Sequence, residues 1–484
     1  MEYLKRKLFL IFLLTLGFNA QAQISFYKTY SGSAFDKGEG MAQLPDSSYA
    51  ITGGSGAFSV NSGQAYLMLT DSLGDHLWTK SYGGNGSDWG RRVFHKPGIG
   101  FTIVGTTNTT SDGRYNFYFL TTDEDGNLVE EKNFGTENWE QLWDACLLDD
   151  GGLIMVGETE GESSNQKDMY LARVDDSGDT LWTNVIQSGE DDVAFTVDAL
   201  NDTTVIIGGY SWDGSASNSF LMSYHINGTE NWRTFYGGIA STKINDIQIY
   251  NNEIYCGGEI IQDGENQSDW WLLKTDDEGN EIATATNDYN GDDILTDICV
   301  VNDDDLYLAL NSNSSDLDVY SGGYDAFVFK YHTELYFNGF SQGYSGENPD
   351  IINDLIVTND EGAAFAGTCG DDRIDPSVGT ATMIGKIGPN DEVTIDADLN
   401  EDLVDVAEES IFKGIVIYPN PTSQKLFIIG SENKLDLEIY SVSGQLIEAR
   451  ENQNMLDISN FQNGVYLLHL IDGEHRIIRR IVKR

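Results

Sequence analysis

Residues 100–134 begin Gly100-Phe101-Thr102-Ile103-Val104-Gly105 and continue with Phe117-Tyr118-Phe119-Leu120-Thr121-Thr122, the turn Asp123-Glu124-Asp125-Gly126-Asn127 and the segment Leu128 to Phe134. The first two runs are apolar, aromatic or β-branched over five or six residues, as buried strands are. The acidic turn contains Gly126, and glycine accepts the positive φ that a tight hairpin requires. Trp89 to His95 supplies a strand ahead of them. Residues 89–134 therefore read as four short strands with no amphipathic helical period between them.

That unit repeats along the chain. The turn glycine recurs at Gly74, Gly126, Gly178, Gly228 and Gly279, in steps of 52, 52, 50 and 51 residues. A second glycine closes the second strand at Gly53, Gly105, Gly157, Gly208, Gly257 and Gly367, with Ala309 in its place once. Second strands can be placed seven times, from 49–53 to 363–367, and fourth strands seven times, from 24–30 to 335–340. The mature chain should begin with a fourth strand, and the last unit ends after a third near Ile387. The N-terminal strand is then free to complete the final sheet, which leaves no edge open. The expectation is an all-β chain: a seven-bladed β-propeller over 23–390, closed by its N-terminal strand and followed by a small Ig-like β-sandwich.

The units carry Asp150-Gly151-Gly152-Leu153-Ile154-Met155-Val156-Gly157, then Asp168 to Asp175, Gly178 and Trp182, and again Asp269-Trp270-Trp271-Leu272-Leu273-Lys274-Thr275-Asp276 with Gly279. In this they resemble the secreted propeller repeats of bacterial surface proteins. The resemblance implies a fold and no particular activity. One unit is worn: Tyr331-His332-Thr333-Glu334 lacks the turn glycine.

Residues 1–22 read as a signal peptide, with Lys5-Arg6-Lys7 ahead of an apolar run from Leu8 to Gly17, and Ala20-Gln21-Ala22 as the cleavage pattern before Gln23. The run is too short to span a bilayer, and no other stretch is long and apolar enough, so no transmembrane segment is expected in the mature chain.

The net charge is −50. Residues 23–410 hold 16 basic against 69 acidic side chains, whereas 411–484 are nearly balanced. Such a surface repels nucleic acid and anionic membranes, so neither is expected as a partner. Cys146, Cys256, Cys299 and Cys369 lie far apart without CxxC or Cys/His spacing, which suggests buried thiols rather than zinc. Residues 391–413 are acidic and lack repeat signals, and read as a linker. Asp398, Asn400, Asp402 and Glu409 have calcium-loop spacing, but Leu403 stands where such a loop needs glycine.

From 414 the texture changes to short alternating strands. Tyr418-Pro419-Asn420-Pro421, the turn Tyr440-Ser441-Val442-Ser443-Gly444, Asn463-Gly464-Val465-Tyr466 and the basic end Lys483-Arg484 follow in order. With these motifs, 414–484 closely resembles the type A C-terminal sorting domain of the type IX (Por) secretion system of Bacteroidota. The resemblance implies passage through the periplasm, recognition by the type IX secretion machinery, and either release or attachment to surface lipopolysaccharide.

In a propeller the first strand of each blade lines the central channel. Aligned, these strands give one column of Gly40, Arg92, Asp144, Thr196, Asp246, Asp297 and Asp354, and a next, apolar column of Met41, Val93, Ala145, Val197, Ile247, Ile298 and Leu355. The ligand candidates are therefore Asp144, Asp246, Asp297 and Asp354 with Arg92. Converging carboxylates could hold a hard cation such as calcium. They could equally bond to backbone and tie neighbouring blades together. Beyond calcium no cofactor is implied. Asp71, Asp123, Asp125, Asp175, Asp176, Asp276 and Asp277 read as turn formers. Trp89, Trp143, Trp212, Trp270 and Trp271 lie near strand starts or loops, where aromatic rings either pack blades or stack on sugars. No catalytic residue is assigned, since GxSxG, HExxH, P-loop and Ser/His/Asp patterns are missing. Unit lengths stay between 49 and 58 residues, so connections are short. Three functions remain: a non-catalytic binding or adhesion module for a glycan or protein ligand, a polysaccharide hydrolase or lyase using carboxylates at the channel mouth, and a passive coat or matrix component.

Overall fold

The computed structural model describes residues 25–31, 35–57, 63–110, 113–160, 166–187, 191–287, 289–317, 323–344, 348–370, 379–393, 400–402, 416–418, 422, 424–429, 434–441, 446–472 and 475–484. The chain is all-β: the described residues form 36 strands. None of them forms a helix long and apolar enough to cross a membrane. The expected signal peptide, with Ala20, Ala22 and Gln23, lies outside them.

Seven sheets of four antiparallel strands follow one another, over 36–82, 88–134, 139–186, 192–236, 241–287, 293–344 and 350–387, each running in sequence order. The seventh takes its fourth strand from the N-terminal segment. Phe26–Ser31 pairs with Ala381–Ile387, Tyr27 opposite Gly385. The linker is not wholly unstructured, because Asn400–Asp402 adds in parallel outside that strand, Thr29 opposite Asn400.

Every first strand slips register by one residue at the same place, between Gly38 and Gly40, Gly90 and Arg92, Leu142 and Asp144, Ala194 and Thr196, Ile244 and Asp246, Leu295 and Asp297, and Ile352 and Asp354. Such a β-bulge bends a strand and re-aims the residue after it. The second-strand glycine sits opposite the bulge. A Cβ on Gly53, Gly105 or Gly157 would meet the carbonyl of Lys37, Trp89 or Gln141 at 1.8 to 2.0 Å. The pairing corrects the glycine column for the next three sheets. The positions opposite the slip are Gly209, Gly258 and Leu310, one residue after Gly208, Gly257 and Ala309.

The apolar column behaves as blade packing requires: Met41, Val93, Ala145, Val197, Ile247, Ile298 and Leu355 are all buried. Core clusters form between consecutive sheets. Ile154 and Met169 of the third meet Val197 and Phe220 of the fourth, and Ala366 and Ile384 of the seventh meet Met41 and Ile51 of the first.

The turn glycines at 74, 126, 178, 228 and 279 all have φ between 72° and 95°. In the worn unit Leu335 takes this conformation at φ 61°. Asp71, Asp123, Asp175 and Asp276 each accept two backbone N–H groups within their own turns. Tyrosines at the ends of fourth strands clamp the next sheet's turn. Tyr82 donates to the Gly126 carbonyl and Tyr236 to that of Gly279, both at 2.7 Å, and Tyr30 reaches the Gly74 carbonyl in the same way. All four cysteines are buried, and Cys146, Cys256 and Cys299 are thiols outside any disulfide.

The C-terminal segment forms a three-stranded sheet of Val416–Tyr418, Lys425–Ile429 and Met455–Asp457, and a four-stranded sheet in the order Leu446–Gln453, Leu435–Ser441, Gly464–Asp472, His475–Lys483. Leu426, Ile428, Leu437, Ile439, Leu456 and Leu468 share one core.

Candidate functional site

The bulge turns the channel column inward. The structure brings Arg92 and the four aspartates together, and every predicted member of the column occupies the position after a slip. Arg92 Nε donates to Asp144 Oδ1 at 2.5 Å, its Nη1 pairs with Asp354 Oδ1, and Asp297 Oδ2 stands 4.0 Å from the same nitrogen. Five side chains of the column also reach the next sheet's backbone. Asp144 accepts Val197 N–H at 2.9 Å, Thr196 accepts Ile247 N–H at 3.2 Å, Asp246 accepts Ile298 N–H at 3.2 Å, and Asp297 accepts Leu355 N–H at 3.0 Å. Asp354, in the seventh sheet, accepts Met41 N–H of the first at 2.6 Å. Gly40 completes the column, because a Cβ there would meet the Arg91 carbonyl at 2.4 Å.

Burial raises the pKa of Asp246, Asp297 and Asp354. It pushes Asp246 up to about 7, against the pull of Arg92. It also raises Asp297, helped by the neighbouring charges of Asp246 and Asp354. Asp354 is raised by burial as well. These carboxylates spend their lone pairs on backbone N–H groups and Arg92. This is the inter-blade tie foreseen as one of the two readings of the column. Among the described residues no group of three or more acids, histidines or cysteines is arranged to hold a metal ion.

A second ring escaped the sequence reading. Asp36, Asp88, Glu140, Asp192, Asp293 and Asp350 lie at or beside the first residue of six first strands, and none is more than 2 % exposed. Ser55, Thr107 and Thr159 donate to Asp36, Asp88 and Glu140 from the paired second strand. Burial raises Glu140 and takes Asp293 to about 6. The signal was present as an acid followed 19 residues later by serine or threonine, five times over.

One pocket of about 540 Å³ opens across the first three sheets, beside the channel column. Trp89, Trp139, Trp143 and Tyr115 supply its aromatic wall. Arg91 is the bulged residue before Arg92. It pairs with Glu39 at 2.5 Å, donates to the Trp143 carbonyl at 3.2 Å and lies over the Trp143 ring at 4.7 Å. Lys37 lies 5.4 Å over Trp89, whose ring also stacks on Phe35. Glu158 is held by Lys167 at 2.9 Å. The structure thus brings two of the five flagged tryptophans, Trp89 and Trp143, into one wall. Trp270 and Trp271 are buried in blade packing, and Trp212 stands apart at the end of a second strand.

In the C-terminal segment Tyr418 ends a strand, and Pro419, Asn420, Pro421 and Gly444 lie outside the described residues. Gly464 pairs with Lys483. Lys483 bridges Thr422, and Arg484 N–H donates to the Thr422 carbonyl at 2.9 Å. The basic end is thereby tied to the residue after the Tyr-Pro-Asn-Pro motif. Tyr466 is buried, with its hydroxyl on the Gln462 carbonyl at 2.8 Å.

A search of curated proteins finds no match. Among solved structures the chain is similar to the WD40 domain of Neurospora crassa Pan2 (TM-score 0.43, 11% identity, 78% of this chain and 93% of that one). It is also similar to Drosophila Semaphorin 2a (0.43, 9%, 92% and 95%) and to Sqt1 from Chaetomium thermophilum (0.38, 12%, 75% and 97%). Residues 416–484 match the model of the secretion system C-terminal sorting domain, the type IX sorting tail, which implies export to the cell surface or the extracellular space.

Proposed function

We propose that this chain is an exported, non-catalytic binding module: a closed seven-bladed propeller over 23–390, a linker over 391–413 and a sorting domain over 414–484. The signal peptide is removed before Gln23 and the chain crosses the periplasm of a Bacteroidota cell. The type IX machinery then delivers it to the outer surface, where it is released or attached to lipopolysaccharide. Its ligand is a glycan or a protein of the surroundings.

The observation that carries the binding reading is how the carboxylates are used. Those in the channel are engaged by backbone N–H groups and Arg92. Three of the four in the pocket, Glu39, Glu158 and Glu140, are tied to Arg91, to Lys167, and to Thr136 and Thr159. Neither set is arranged as a free acid beside a free base, which a hydrolase needs. The alternative, a hydrolase or lyase at the channel mouth, draws on the raised carboxyl groups alone.

Expression of the full chain and of a chain ending at 413 in a type IX-competent host tests the export half. The full chain should reach the medium or the surface, and the shortened chain should stay in the periplasm. Equal export of both would overturn it. Incubating the purified full chain with polysaccharides tests the other half: retention without new reducing ends supports binding, and steady release of reducing ends overturns it.

A further inference from the structure

The pocket across the first three sheets combines rings that are already occupied with rings that are not. Lys37 and Phe35 cover Trp89, while Arg91 and the edge-on Phe195 cover Trp143. Trp139 and Tyr115 are different. Their rings lean together with centroids 5.4 Å apart, and Trp139 remains 44 % exposed, far from the usual state of a tryptophan in this fold. They form an uncovered aromatic shelf at the mouth of a cavity whose volume falls within the roughly 300–1,000 Å³ of small-ligand sites.

The polar groups around the shelf select the ligand. Two cationic side chains, Lys37 and Arg91, face four carboxylates, Glu39, Glu140, Glu158 and Glu160. The excess of negative charge disfavours uronate, sulfate or phosphate groups. A cationic ligand is disfavoured for another reason: built-in cations already hold the faces of Trp89 and Trp143. Three side-chain atoms of the wall, Glu140 Oε2, Glu158 Oε2 and Trp143 Nε1, are buried without a hydrogen-bond partner among the described residues. A sugar hydroxyl can donate to the carboxylates of the lining and accept from the Gln141 amide, since it does both.

Resting on the binding reading above, we infer that the pocket of Trp139, Tyr115, Trp143 and Glu158 takes a neutral pyranose unit of a glycan, with the apolar face of the sugar ring on the Trp139–Tyr115 shelf. Its hydroxyl edge lies toward Glu158, Glu160 and the exposed amide of Gln141.

The test is calorimetric titration of the full chain with neutral cello-, manno-, malto- and galacto-oligosaccharides, with oligogalacturonate as the anionic control, repeated with Trp139→Ala and with Trp212→Ala. Binding of at least one neutral saccharide, weaker by roughly tenfold or more in Trp139→Ala and within twofold of the unmodified protein in Trp212→Ala, supports the inference. No binding by any neutral saccharide, tighter binding of oligogalacturonate, or an unchanged constant in Trp139→Ala would overturn it. Thermal unfolding of Trp139→Ala within a few degrees of the parent shows that loss of binding is not loss of fold. Saccharide binding indifferent to Trp139 defeats this inference and leaves the binding module standing. Bond cleavage abolished by Trp139→Ala keeps the pocket and defeats the non-catalytic reading.

Discussion

Asp354 Oδ2 accepts the backbone N–H of Met41 at 2.6 Å, across 313 residues of sequence. The same bond links the third sheet to the fourth, the fifth to the sixth and the sixth to the seventh, through Asp144, Asp246 and Asp297. The bulged residues repeat the pattern one step outward. Asn245 donates to the Leu295 carbonyl, Thr296 to that of Ile352, and Asn353 of the seventh sheet to that of Gly38 in the first. The junction between the last sheet and the first is therefore built from the same parts as the internal ones.

Asp354 also pairs with Arg92 and is 1 % exposed. Asp354→Ala leaves Arg92 short of one partner and the Met41 N–H without an acceptor. Removing one member of a buried ion pair costs about 3–5 kcal/mol. The expected outcome is a markedly lower apparent Tm at fixed scan rate. Asp354→Asn keeps an acceptor for Met41 and should lose less.

Asp246 gives a pH signature. Its folded pKa, near 7, lies above the ordinary carboxyl value because burial favours the neutral form. The folded state then holds this proton more tightly than the unfolded chain does. The contribution is full below about pH 4, declines as pH rises toward 7, and is flat above. Chemical denaturation from pH 4 to 8 should show a stability difference between the parent and Asp246→Asn that changes over this window. A difference independent of pH would contradict the assignment.

Gly105 faces the bulge in the second sheet, and a Cβ there would sit 1.8 Å from the Trp89 carbonyl. Gly105→Ala must push the strand carrying Trp89 and Arg91, at a cost of about 1–3 kcal/mol or more. Both a lower Tm and weaker saccharide binding are expected, since the two residues line the pocket.

Tyr82 tests the outer clamps. Tyr82→Phe removes the bond to the Gly126 carbonyl and leaves that carbonyl poorly satisfied, at about 1 kcal/mol. Equilibrium denaturation should register the loss without a change in saccharide affinity.

Much of this was legible in the spacing. A repeat near 52 residues places equivalent residues at equivalent positions, so the column from Gly40 to Asp354 could be aligned before any coordinates. The glycine column drifted by one at Gly208, Gly257 and Ala309 because the bulge is a property of two paired strands, and neither strand's sequence marks it alone. The hydrogen-bonding use of the aspartates was one of two readings, since an acid's partner is set by distances that spacing does not encode. The pocket was illegible for a similar reason: Lys37, Arg91, Tyr115, Trp139 and Glu158 come from three units, and their neighbourhood exists only after the sheets pack. Trp139 itself was passed over, because an exposed tryptophan and a packed one look alike in sequence.

Amide hydrogen exchange at Met41 tests closure of the ring most directly. A closed seven-bladed ring predicts that the Met41 amide is protected to the same degree as its counterparts Val197, Ile298 and Leu355, and that Asp354→Ala lowers the protection of Met41 first. Exchange at Met41 orders of magnitude faster than at those three amides in the unaltered protein would contradict it.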